Sequence, residues 1–203
     1  MSLNKFFDRI YCISLPQEVA PERWEACDKL FAHHNLQVER FPAIMVDQGI
    51  NGLLRGEYGC LLSHVQCVLQ AKQDNLSNVL ILEDDLVLHD NFDEYFDKLI
   101  RQVPPQWDML YFGGNHIRGY SMVSPNVIKL NGSYAIQMVG IKNTMFDKII
   151  ETVGDNPSKQ IDVYYADMHP VYNVYCFRPH LAWQAAGHSY IQEGYVDYDF
   201  LKR

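Results

Sequence analysis

The chain has 203 residues, 48% apolar and 21% charged, a globular composition with enough material for a substantial core and not that of a disordered chain. A formal charge of −8, from 17 basic and 25 acidic residues, argues against nucleic acid as the main partner, and no basic block suggests an anionic membrane surface. No run is long and apolar enough for a transmembrane segment, residues 1–9 lack an apolar leader core, and five scattered cysteines, an odd count, fit free thiols in a reducing, cytoplasmic setting.

Ile10-Tyr11-Cys12-Ile13 reads as a compact buried strand that stops at Ser14-Leu15-Pro16. A helix is expected after Pro21, with Trp24, Cys27, Leu30 and Phe31 at helical spacing. Val38 to Phe41 gives a second strand, and Gly49 and Gly52 mark a loop. From Gly59 to Lys72 the residues Leu61, Leu62, Val65, Val68 and Leu69 form one apolar stripe, which predicts an amphipathic helix. Val79 to Leu82 is a third, central strand. Phe92, Phe96, Leu99, Ile100 and Val103 mark another helix, with Asp90 or Asn91 as N-cap. Met109 to Phe112 and Tyr134 to Ile141 give two more strands, the last followed by a helix carrying Phe146, Ile149 and Ile150. No internal repeat or linker interrupts the chain, so residues 1–203 are expected to form one domain. Alternating strands and helices predict an α/β fold with a mostly parallel central sheet covered by helices on both faces.

The third strand ends in Glu83-Asp84-Asp85. In open α/β sheets, ligands bind beyond the carboxyl ends of the strands. Three acids gathered there repel one another unless a cation lies between them. A hard divalent ion, Mg²⁺ or Mn²⁺, suits oxygen ligands and carries phosphates on its open positions. The plain alternative is a solvated strand end with its acids in water. A second pattern, Cys60, His64 and Cys67 on one helical face, has zinc-like spacing. It lacks a Cys-x-x-Cys partner, so packing is the better reading, with His64 hydrogen-bonded inside the fold.

The blocks Gly56-Glu57-Tyr58-Gly59-Cys60-Leu61-Leu62-Ser63-His64, Leu82-Glu83-Asp84-Asp85 and Trp107-Asp108-Met109-Leu110-Tyr111, taken in order, resemble glycosyltransferase family 25. That family includes bacterial lipooligosaccharide galactosyltransferases and procollagen galactosyltransferases. The resemblance runs from Ile10 to Pro179-His180-Leu181. It implies a GT-A-type Rossmann-like fold, a UDP-sugar donor, Mn²⁺ (or Mg²⁺) and inversion at the anomeric carbon. By the same resemblance Asp85 is assigned to the metal, with Glu83 or Asp84 in the metal shell or on the donor ribose. Ser14 and Arg23 match the donor region, although Leu15 to Glu22 departs from its arginine-rich pattern and Arg23 could equally face solvent. Asp162 matches a recurrent acid and is either the catalytic base or a helix cap, with Asp167 in reserve. His188 is either a late metal ligand or a surface residue.

The implied reaction moves a hexose, galactose first and glucose second, to a hydroxyl of a glycan or glycoconjugate acceptor, as in lipopolysaccharide biosynthesis. A metal would neutralise the diphosphate leaving group and a carboxylate would take the acceptor proton. Two other classes use similar parts. A metal-dependent phosphohydrolase would leave the Gly56 to His64 block without a role, and a degenerate nucleotide-sugar binder would bind the donor without turnover.

Overall fold

The computed structural model describes residues 1–191, 194–197 and 199–202. Its helices are α1 (Leu3–Phe6), α2 (Pro21–His33), α3 (Arg55–Gln73), α4 (Phe92–Leu99), α5 (Asn143–Val153) and α6 (Ile161–Met168). The first strands are β1 (Arg9–Ser14), β2 (Glu39–Pro42), β3 (Asn78–Glu83), β4 (Leu86–Leu88), β5 (Met109–Tyr111), β6 (Asn115–His116) and β7 (Tyr120–Ser124). They are followed by β8 (Val127–Leu130), β9 (Ser133–Tyr134), β10 (Met138–Lys142), β11 (Val174–Phe177), β12 (Ala182–Gln184), β13 (Gly187–Ser189) and β14 (Gly194–Val196).

Eight strands form the main sheet in the order β2-β1-β3-β10-β5-β11-β8-β7. Six run one way, and only β10 and β8 run against them. The expected α/β architecture is therefore present, with mixed pairing introduced by those two reversed strands. Alternate residues of each central strand feed opposite faces. Val79 and Ile81 of β3 join Tyr11, Met109 and Val139 under α3, α5 and α6. Leu80 and Leu82 join Ile10, Leu110 and Met138 under α2 and α4. A strand buried on both faces has no polar side, which is why the 79–82 run is uniformly apolar.

The second face centres on an aromatic stack. Phe96 of α4 lies 5.8 Å from Phe112 and 6.1 Å from Phe92, and Phe112 lies 5.1 Å from Phe177. Such offset and edge contacts add to the area each ring buries.

Several boundaries differ from the expected ones for local reasons. The helix expected from Gly59 begins at Arg55, because the Glu57 carboxylate accepts the Leu54 N–H at 2.8 Å and caps an earlier start. The helix expected to reach Val103 ends at Leu99 and tightens into a 3₁₀ turn over Ile100–Gln102, just before Pro104 and Pro105. Asn91 occupies the N-cap position without a side-chain capping bond. The strand expected over 134–141 splits into β9 and β10, because Ala135 takes a left-handed φ of 66° that no strand accommodates. Strand β11, deep in the sheet, and the β7–β8 hairpin at its edge carry too few residues for a period to register.

Truncating the centre of the aromatic stack leaves a cavity that the neighbouring rings cannot fill. Phe96→Ala is expected to lower the unfolding free energy by about 3–5 kcal/mol, read as a lower urea midpoint at unchanged slope. A loss under 1 kcal/mol on that order-of-magnitude scale would mean the face is not close-packed.

Candidate active site

The acidic block occupies the carboxyl edge of β3, where the chain turns sharply into β4. A cavity of about 690 Å³ opens there, within the usual range for small-molecule sites. Its walls include Ile13 of β1 and Leu15 just after it, Ala43 to Val46 after β2, Gly56, Glu57, Gly59 and Cys60 of α3, and Glu83, Asp84 and Asp85. Tyr134 to Ile136, Gln160 to Asp162, Gln184 and the 189–191 segment close it.

The three acids are not equivalent. Asp84 is only 6% exposed, and both its oxygens are engaged: Arg23 Nη1 donates to one at 2.7 Å and the Leu15 N–H to the other at 2.8 Å. Arg23 also donates to the His188 carbonyl at 2.8 Å and stands 3.7 Å from Asp85. Asp84 therefore ties the exit of β1, α2 and the 188 segment to the acidic turn, while still lining the cavity. Arg23 is a cavity-wall cation rather than a solvent-facing helix residue.

Asp85 is differently placed. Its Oδ1 is buried without a hydrogen-bond partner, and its Oδ2 receives only a long 3.4 Å contact from Gln184. Burial, and then the neighbouring Glu83 charge, push its carboxyl up to about 7. Glu83 accepts from or shares a proton with His64 Nε2 at 3.1 Å, and the Cys60 thiol points at the same oxygen from 3.7 Å. His64 is thus hydrogen-bonded inside the fold, as expected, and Cys67 lies apart in the core.

The glycines of the Gly56 to His64 block are explained by close approach. A Cβ on Gly56 would stand 2.7 Å from the Tyr190 carbonyl oxygen, and one on Gly59 would collide with the Ile44 carbonyl. Without side chains there, the first turns of α3 slide between those segments and bring Cys60 and His64 under Glu83. Ser63 holds the same loop, accepting the Ile44 N–H at 2.8 Å. Glu57 is bonded to Gln160, which precedes α6.

Asp162 is the second residue of α6, with Gln160 at the N-cap, so it is not the cap. It lines the cavity together with the acidic turn. Burial raises its pKa, partly opposed by the backbone N–H groups of Ala135 and Val163, and its Oδ1 is buried without a partner. Asp167 is excluded as its substitute: it pairs at the surface with Arg118 and Lys159, both at 2.9 Å, outside the cavity.

Two expected site residues are corrected. The Ser14 hydroxyl is buried beneath the wall, where Arg40 donates to it at 2.9 Å, so it orients Arg40 and does not reach the cavity. The His188 ring is exposed and packs edge-on against Tyr190; only its carbonyl reaches the site, through Arg23. The sequence reading also missed Gln184 and Ala135, which lie on a three-residue strand and a strained turn and carry no motif. Asp108 of the third block holds Thr144 and the Asn173 N–H at the opposite end of β5, a structural role.

A sequence model described as glycosyltransferase family 25 (LPS biosynthesis protein) matches residues 7–154. The chain belongs to glycosyltransferase family 25. A glycosyltransferase 25 family member of Drosophila melanogaster is 28% identical over 134 residues, 55% of this chain and 22% of that protein. The inactive glycosyltransferase 25 family member 3 of Homo sapiens is 30% identical over 89 residues, 42% of this chain and 15% of that protein. The chain thus spans less than a quarter of the length of either relative. A crystal structure of a glycosyltransferase involved in glycosylation of the major capsid of PBCV-1 shares the fold, with a TM-score of 0.52 over 89% of this chain and 94% of that one at 10% identity.

The raised pKa of Asp85 has a measurable sign. Its protonated form favours the folded state fully below the unfolded value of about 4, and that contribution is lost as pH rises to about 7. In chelator, Asp85→Asn should therefore gain melting temperature over wild type progressively from about pH 4 to pH 7 and then level off. A difference independent of pH across that window would contradict the burial of the Asp85 carboxylate.

Proposed function

We propose that the protein transfers a hexose from a UDP-sugar to a hydroxyl of a glycan or glycoconjugate acceptor, with galactose the first candidate donor and glucose the second. The observation that carries this reading is the placement of Asp162 in the same cavity as the acidic turn of β3, at the carboxyl edge of an α/β sheet. Family membership supports the class of reaction; the donor, the acceptor and the stereochemistry remain part of the proposal.

The residues fit a divalent metal of the Mn²⁺ or Mg²⁺ type. Asp85 offers a buried, unpartnered oxygen next to Glu83, a hard donor set with excess negative charge. Asp85 and Glu83 would hold the ion, which when bound offsets the charge of the donor diphosphate. Asp84 keeps the acidic turn in place, and Arg23 adds a cation at the same wall. The apolar wall from Ile13, Leu15, Ala43 and Ile44 suits the flat face of a nucleotide base.

Asp162 is the base in this scheme. Its buried position raises its proton affinity, which suits removal of a hydroxyl proton as the oxygen attacks the anomeric carbon. The N–H groups of Ala135 and Val163 aim the carboxylate. One inverting displacement then forms the new glycosidic bond, breaks the bond to the diphosphate, and leaves the acceptor proton on Asp162. The base works only when ionised, so transfer should fall as pH drops through its raised pKa. The free thiols of all five cysteines fit a reducing, cytoplasmic location, and no helix of the described residues is long and apolar enough to cross a membrane.

Substitution separates binding from chemistry. Asp162→Asn should bind UDP-galactose with near-wild-type affinity in the presence of Mn²⁺, by calorimetry, while transfer falls by about two to four orders of magnitude. Transfer within a fewfold of wild type would remove Asp162 from the base role.

A further inference from the structure

A second cluster of metal-binding groups lies away from the acidic turn. His116 of β6, Cys176 of β11 and His180 beyond it bring their ligand atoms within 4.8 Å of one another. Cys176 and His180 are buried and His116 is half-buried. The two imidazoles meet nearly at right angles, with their Nε2 atoms 3.1 Å apart.

The outer hydrogen bonds orient both rings. His180 Nδ1 lies 2.8 Å from the Leu201 carbonyl oxygen, which can only accept, so Nδ1 donates there and Nε2 is the atom turned toward His116. His116 Nδ1 lies 3.0 Å from Ser133 Oγ, whose own hydrogen is directed to the Tyr134 carbonyl at 3.2 Å. The two Nε2 atoms, 3.1 Å apart, with Cys176 Sγ beside them, are spaced as ligands around one small cation.

We propose that His116 Nε2, His180 Nε2 and Cys176 Sγ form a binding site for a zinc-type divalent cation, separate from the acidic site. The donor set is borderline-soft nitrogen and sulfur, the chemistry zinc favours over magnesium. Two nitrogens on a tetrahedral zinc stand roughly 3.3 Å apart given the usual zinc–nitrogen length, close to the spacing already present. The acceptors on the far ring nitrogens are the outer-shell contacts that orient ligating histidines. On binding, the Cys176 thiol loses its proton to solvent and its sulfur becomes the third ligand, while water completes the coordination.

The site links the sheet to the cavity wall. His116 pairs with Ser133 and Asn115 with Tyr134 in the β6–β9 ribbon, and Asn115, Tyr134 and Leu201 all line the cavity. A cation at His116 and Cys176 would clamp that ribbon onto β11, so its role is to position the wall.

Cobalt(II) titration of the full-length protein tests this, because thiolate ligation gives cobalt a near-ultraviolet charge-transfer band. Wild type, Cys60→Ser and Asp85→Asn should each develop the full band of one thiolate-ligated cobalt, since Cys60 and Asp85 belong to the acidic site. Cys176→Ser and His116→Gln should lose it. Zinc at a hundredfold excess over its dissociation constant should raise the wild-type melting temperature by about 5–10 °C, and that of Cys176→Ser by much less. Should Cys176→Ser misfold, His116→Gln at a half-exposed position carries the comparison. No band in wild type at saturating cobalt, or an undiminished band in His116→Gln, would overturn the site and leave the two imidazoles sharing a proton.

Discussion

The buried ion pair between Asp84 and Arg23 is the constraint on which the site depends. Glu83, Asp84 and Asp85 follow one another at the end of a strand buried on both faces, and left alone they would repel. Arg23 and the Leu15 N–H take up both oxygens of Asp84, and the Cys27 thiol reaches its carbonyl at 3.5 Å. One acid of the three is thereby turned into a fastening between β1, α2 and the acidic turn. Removing Arg23 would leave a nearly buried carboxylate without its charge partner, the costly way to break such a pair. With Asp84 held in this way all three acids line the cavity, and Asp85 keeps a buried oxygen without a hydrogen-bond partner.

The rest of the site is arranged around Glu83 and Asp85. Helix α3 places His64 and Cys60 beneath Glu83, and it can approach only because positions 56 and 59 lack side chains. From the other side, α6 brings Asp162, held by backbone N–H groups that include that of Ala135, a residue in a left-handed conformation. Strain of that kind costs on the order of 1–3 kcal/mol and persists where the surroundings impose it, often at functional sites. A buried unpartnered oxygen on each of Asp85 and Asp162 is a further sign that the cavity is organised for a ligand more than for stability.

Much of this was legible in the residues. The apolar 79–82 run and the acids that end it located the central strand and the cavity edge, because burial on both faces and a charged terminus are local properties of sequence. The apolar stripe from Leu61 to Leu69 located α3, and the Gly56 to His64 block was read through the family resemblance. Ser14 and His188 misled because a motif fixes a position along the chain and not the direction of a side chain: one hydroxyl turns under the wall to Arg40, and one ring turns outward onto Tyr190. Gln184 could not be foreseen, since it reaches Asp85 only through the pairing of β12 with β4. Strand β11 was missed because four buried residues carry no period, yet it sits between β5 and β8.

The central claim is that the cavity at the end of β3 turns over a UDP-sugar with a metal held by Asp85 and Glu83. Release of UDP from UDP-galactose and UDP-glucose, followed with Mn²⁺ and again in excess chelator, tests it most directly. The account predicts UDP release with at least one of the two donors, lost in chelator and restored when Mn²⁺ is returned. Release that continues unchanged in chelator, or none from either donor with Mn²⁺ present, would contradict it.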